Sequence, residues 1–151
     1  MYYAGRLANL VFWILAVYVA LRLWPGNAWP LFAVALLPMS ISQAGSFSPD
    51  ATVNALTFLL IAGTYRAAKL TRAPTKRELI SFATLVVFLS LCKPVFFVLG
   101  LLGLMVHAKK FKPQKKHWVW LGGTLFAALL VTVLWNAKVN AYAEGIRHYY
   151  L

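Results

Sequence analysis

The chain is predicted to fold as an all-α, polytopic transmembrane helical bundle. Apolar residues make up 62% of it and charged residues 12%, against roughly 45–50% and ~25% in soluble domains. The apolar residues gather into six stretches, 7–24, 31–46, 51–68, 79–92, 94–108 and 118–136. Most of them approach the ~20 residues a helix needs to cross a ~30 Å hydrocarbon layer. The charge is pushed into the gaps. Ten of fifteen basic residues lie in two clusters, Arg66, Lys69, Arg72, Lys76 and Arg77, then Lys109, Lys110, Lys112, Lys115 and Lys116. A core of 151 residues could not hide this much apolar surface from water, whereas lipid accepts it.

The net charge of +12 does not point to nucleic acid. Each basic cluster joins two apolar stretches, as cytoplasmic loops do, and contact with anionic lipid headgroups accounts for it. If the chain crosses at all six stretches, one side receives Arg22 and both clusters, eleven basic residues. The other receives Arg6, Lys93, Lys138 and Arg147. The first side is expected to be cytoplasmic, in a cell (inner) membrane, with both termini outside. The single cysteine, Cys92, excludes an intrachain disulfide and offers no metal spacing. Arg6 precedes a long apolar run with no small-residue cleavage site behind it, so no cleavable signal peptide is indicated.

Each boundary carries a local signal. Trp24-Pro25-Gly26-Asn27 closes the first stretch as a turn, with Trp24 and Trp29 suited to the headgroup zone. Pro38 should kink the second. Ser48-Pro49-Asp50 reads as an N-cap, a proline at the first helical position and an acid in the first turn of the third. Residues 79–108 as one helix would measure ~45 Å, too long for one pass without strong tilt. It would also place the two basic clusters on opposite sides. Cys92-Lys93-Pro94 therefore breaks it into a hairpin, because proline disfavours helix at the preceding residue and suits the start of a new one. Arms of fourteen or fifteen residues rise only ~21–22 Å, which leaves Lys93 at a tip several ångströms inside the outer leaflet. Trp118 and Trp120 open the sixth stretch at an interface, and an outer tail follows from Ala137. Gly100, Gly103, Gly122 and Gly123 are expected to allow close helix packing. The Tyr2-Tyr3 and Tyr149-Tyr150 pairs suit interfacial anchors.

Few polar residues remain to carry function. Glu78, in a basic loop, is expected to pair with Arg77 or Lys76. Asp50 is explained as a helix-start residue, but it also lies on the outer face beside Ser46 and Ser48. Glu144 lies in the outer tail. These two are the acids available for catalysis at that face. Lys93 has two readings. Its stem snorkels to the headgroups, or its charge lines a polar cavity where it would suit the phosphate of a lipid-linked donor. Pro38, Ser40, Ser42, Gln43 and Ser46 make a polar end to the second stretch. That end, with Asn54, forms either interhelical hydrogen bonds or a vestibule wall. His107, His117 and His148 have no metal spacing, and neither a metal nor a cofactor is expected.

Leu36-Leu37-Pro38-Met39-Ser40, Gln43-Ala44, Ser48-Pro49-Asp50-Ala51, Leu89-Ser90-Leu91-Cys92-Lys93-Pro94-Val95 and the opening Gly5-Arg6-Leu7-Ala8-Asn9 together resemble a bacterial membrane-protein family called domain of unknown function 2142. That family is similar in architecture to the GT-C glycosyltransferases, which transfer sugars from polyprenyl-phosphate donors at the outer membrane face. The resemblance implies a glycosyltransferase-like protein of envelope polysaccharide assembly. Lys93, helped by Arg6 or Arg147, would hold a lipid phosphate, and Asp50 would shape the acceptor side. Longer members carry a first helix and external loop ahead of the Gly-Arg element, and in GT-C enzymes that loop bears the catalytic acid. The expectation is therefore a truncated member of a larger bundle that lacks this acid. The alternative function is a non-enzymatic membrane component, a carrier subunit or an assembly partner, or else an inactive truncated fragment. Membrane lipids and a polyprenyl-phosphate sugar are the expected partners.

Overall fold

The structure, a computed structural model, describes residues 2–46, 48–107, 110–111 and 114–149; at Tyr2 and 140–149 it describes the backbone alone. The described residues form α1 (Tyr2–Leu23), α2 (Trp29–Ala35), α3 (Pro38–Ala44), α4 (Pro49–Lys69), α5 (Lys76–Cys92), a 3-10 helix (Pro94–Met105) and α6 (Lys115–Tyr149).

α4 is the central element. One face carries Ala51, Ala55 and Ala62, all 0–1% exposed, and meets Trp13, Ala16, Val17 and Ala20 of α1. These recur at the three- and four-residue spacing of a helical face. Small residues let the two backbones approach closely, which in lipid supplies much of the packing energy. The Asn9 amide of α1 donates to the Ser46 and Ser48 carbonyls just before α4. At the far end the Trp24 ring stacks on Tyr65 with centroids 4.3 Å apart. α1 and α4 therefore run parallel, and residues 25–48 return between them. Gly26, at φ +88°, makes the turn out of α1.

The kink expected at Pro38 is a full interruption. α2 and α3 are separate seven-residue helices. Leu37 is extended, as the residue before proline prefers. The Ser40 hydroxyl donates to the Val34 carbonyl, which also accepts from the Leu37 N–H, so a second bond crosses the break between α2 and α3.

The other face of α4 buries Val53 and Leu60 against Phe82, Val86 and Leu89 of α5 and Ala128 of α6. The break at Lys93-Pro94 is where the sequence places it. α5 ends at Cys92 and Lys93 is extended at φ −144°, ψ 120°. The second arm is a 3-10 helix of 12 residues rather than an α-helix. Such helices rarely exceed 3–4 residues. Its sequence fits the three-residue period: Gly100, Gly103 and Val106 are buried, while Val95, Val98, Leu101 and Leu104 are exposed. At ~2.0 Å per residue the arm rises ~24 Å, which matches the ~25 Å of the 17-residue α5. The two arms therefore match in length; α5 gains Lys76–Glu78 at its base beside the basic loop, not at the Lys93 tip.

α6 buries His117, Leu121, Thr124, Ala128 and Thr132. It runs parallel to α5: the Phe82 and Trp120 rings are 5.1 Å apart, and Thr132 donates to the Ser90 carbonyl. The tail expected from Ala137 is instead a continuation of α6, which reaches Tyr149, about 20 Å beyond residue 136. Gly100 and Gly103 sit in tight helix contacts, but Gly122 and Gly123 face open space, so only the first pair serves packing. Tyr3 is exposed; the side chains of Tyr2, Tyr149 and Tyr150 lie outside the described residues.

Two helices, Tyr3–Leu23 and Lys115–Val139, are long and apolar enough to cross a membrane alone. Exposed apolar residues extend well beyond these two, from Leu36, Leu37 and Ile41 to Ile80, Phe88 and Val95. A water-facing domain would not present such a surface.

Candidate functional site

The parallel run of α1 and α4 gathers polar groups at one end of the bundle. Ser48 caps α4: its hydroxyl accepts from the Asp50 backbone N–H at 3.2 Å and donates to the Asp50 carboxylate at 3.3 Å. The capping expected from Ser-Pro-Asp is present in full. Lys93, at the hairpin tip, donates to Asp50 Oδ1 at 2.6 Å. The two side chains, 43 residues apart in sequence, are 53% and 40% exposed. Lys93 thus stands at an open rim with a carboxylate partner, not in an enclosed cavity.

Gln43 and Asn54 meet directly, the Asn54 amide donating to the Gln43 side-chain oxygen. Ser46 turns back to the Gln43 carbonyl at 2.7 Å. The polar end of the second stretch therefore makes the interhelical hydrogen bonds that were one of its two readings. Ser42 is exposed. Asn9 ties α1 to the same cluster, and Arg6 lies one turn earlier on that helix face. Nothing local in the Gly-Arg element assigns Asn9 this role; the sequence signal for it is its spacing of three from Arg6. The side chains of Glu144 and Arg147 lie outside the described residues, as do Lys109, Lys112 and the His148 side chain.

The opposite end is basic and differently organised. Glu78 pairs with Arg72, at 2.6 and 3.0 Å, not with Arg77 or Lys76. Side chains one or two positions apart on a helix point in different directions. Glu78 at the third helical position instead turns back to close a capping box with Thr75, where Arg72 reaches it from the loop. Glu78 precedes the apolar run 79–92. The Arg72 hydrogen bond, opposed by partial burial and aided by Thr75, lowers its carboxyl from 4.5 to about 2. A depressed carboxylate stabilises the fold above pH ~4.5 and loses that contribution as pH falls toward ~2. Because the pair is largely solvated, its worth is about 1 kcal/mol. Glu78→Gln should cost about that much at pH 7 and almost nothing at pH 2. Detergent-micelle unfolding at the two pH values measures the difference, and an equal cost at both would contradict it.

Lys110 had no expected individual role. Its ammonium donates to the carbonyls of Ala67, Ala68 and Leu70 at 2.9, 2.6 and 2.6 Å. A cation there satisfies acceptors at a helix C-terminus and meets the negative end of its dipole. His107 is exposed, and His117 is buried among Phe111, Trp118 and Trp120.

A family model described as "Predicted membrane protein (DUF2142)" matches residues 1–148. No curated protein matches, and no solved structure does.

Proposed function

Because the chain belongs to the DUF2142 family of predicted membrane proteins, we propose that it is a glycosyltransferase-like multi-pass protein of the cell membrane. It would act with polyprenyl-phosphate-linked sugars in envelope polysaccharide assembly. The observation that carries this reading is the convergence of Asp50, Lys93, Gln43, Asn54 and Asn9 at one end of the bundle, away from both basic loops. Positive-inside charge orients that end outward, the face on which lipid-linked sugars are used. Lys93 and Arg6 supply cations for a phosphate, with Arg147 a third candidate. Asp50, held off the phosphate by Lys93, shapes the acceptor side, and Glu144 is the other available acid. Membranes containing the chain should bind radiolabelled polyprenyl-phosphate sugars, and the full-length gene product that supplies the first external loop should transfer the label. Failure of both with every donor sinks the proposal.

A second reading has its own support. Both Asp50 oxygens are engaged, by Lys93 and Ser48, as in a structural latch between α4 and the hairpin tip. In that case the chain is a non-enzymatic component of a larger assembly.

The orientation stands apart from either reading. Six crossings place loops 66–77 and 109–116 in the cytoplasm and both termini outside. In a Cys92-free background, single cysteines at 74 and 113 should resist an impermeant thiol reagent in intact cells, and one at 140 should react. The reverse pattern would overturn the orientation.

A further inference from the structure

A cleft of about 600 Å³ opens between α4 and α5 at the basic end, far from the polar cluster. Its wall combines apolar residues, among them Leu59, Leu60, Phe82, Leu85 and Trp120, with Arg66 and Arg77, which lie at the loop ends of α4 and α5. From Arg66 down to Leu59 is two helical turns, about 10 Å.

We infer that this cleft binds an anionic glycerophospholipid from the leaflet that faces the basic loops. The upper acyl chain would lie in the cleft and the headgroup phosphate on Arg66 and Arg77. Charge complementarity selects this occupant. The acid on the cleft wall, Glu78, is held by Arg72 and Thr75. The neighbouring cations are committed elsewhere: Lys110 caps α4, and Lys69 lies over the Tyr65 ring. Among the described residues neither Arg66 nor Arg77 forms an ion pair, both line the cleft, and guanidinium groups bind phosphate in a bidentate manner. Basic pockets between helices at a cytoplasmic surface hold anionic headgroups by the same physics. The volume falls within the 300–1,000 Å³ span typical of ligand sites, about the middle of it. Water fills an apolar slot less favourably than a lipid chain does, so an acyl chain is the natural filler.

Charge and space can be tested separately. A Cβ on Gly63, which lines the cleft, meets nothing within 4 Å, so Gly63→Leu starts into open space, takes up room in the slot and favours helix. The full chain is purified in detergent and titrated with phosphatidylglycerol or phosphatidylcholine, and bound lipid is counted by native mass spectrometry, with circular dichroism to verify helicity. The parent should prefer phosphatidylglycerol by about tenfold. The double variant Arg66→Gln/Arg77→Gln should lose that preference, and Arg66→Lys/Arg77→Lys should keep part of it. Gly63→Leu should weaken both lipids. No preference in the parent, or a preference that survives Arg66→Gln/Arg77→Gln, overturns the inference. Undiminished binding to helical Gly63→Leu places the lipid outside the cleft and also overturns it. If Gly63→Leu instead dissociates a dimer while lipid binding persists, the occupant is a second copy of the chain. None of these outcomes depends on sugar transfer at the opposite end.

Discussion

Lys93→Met should reduce polyprenyl-phosphate affinity at least about tenfold, the scale of one lost hydrogen bond to a charged group, while the protein still folds and inserts. Met keeps the length of the side chain and removes its charge. Lys93→Arg should retain part of the binding, because the charge survives with a different donor geometry. The Asp50 carboxylate at 2.6 Å adds a sharper expectation. In the unliganded protein it competes with any phosphate for the same ammonium. Asp50→Asn should therefore bind the lipid phosphate more tightly than the parent. Affinities of the purified variants in nanodiscs decide the matter. If Lys93→Met binds as well as the parent, the lysine is a snorkelling anchor or a latch, and the phosphate site fails with it. If Asp50→Asn weakens binding, the carboxylate organises the site rather than competing for the cation.

The second large effect concerns packing of the 3-10 helix. A Cβ built on Gly100 falls 2.6 Å from Leu125 Cδ2 and 3.3 Å from Val86; one on Gly103 falls 2.6 Å from Leu121 Cδ1 and 3.4 Å from Phe82. Alanine displaces only the ends of flexible leucines and should be tolerated at modest cost. A leucine has nowhere to go. Gly100→Leu/Gly103→Leu should push the arm off α5 and α6 and cost about 3 kcal/mol, the upper range of overpacking. Gly122→Leu and Gly123→Leu, which enter open space, should change stability by less than ~0.5 kcal/mol. Unfolding in detergent compares the four. Equal costs for the two pairs would mean that the 3-10 arm does not pack through its glycines.

Much of this architecture could be read from local chemistry. The Ser48-Pro49-Asp50 start of α4, the turn at Gly26 and the break at Lys93-Pro94 are each set by residues within a few positions, so the chain displays them directly. The pairing of Gln43 with Asn54 was half visible, as two polar residues that had to be satisfied somewhere. The partners of Glu78 and Lys110 were not. Glu78 depends on how the 70–75 loop folds back, and the role of Lys110 depends on where α4 ends in space, 40 to 43 residues away.

The sequence by itself determined that the chain is helical and lives in lipid, and where most of its helices start and stop. Apolar composition, charge clusters, prolines and caps act over one or two turns. Only the tertiary structure decided that α1 and α4 run parallel, that Pro38 separates two helices, and that residues 94–105 wind as a 3-10 helix. An α-helical arm of 12 residues would rise only ~18 Å, short of α5 beside it. The tighter winding recovers the missing length and turns Gly100 and Gly103 inward together. Tertiary structure also joined Asp50 to Lys93. No local propensity relates residues 43 positions apart; their meeting follows from α5 packing antiparallel to α4 until the hairpin tip comes level with the start of that helix.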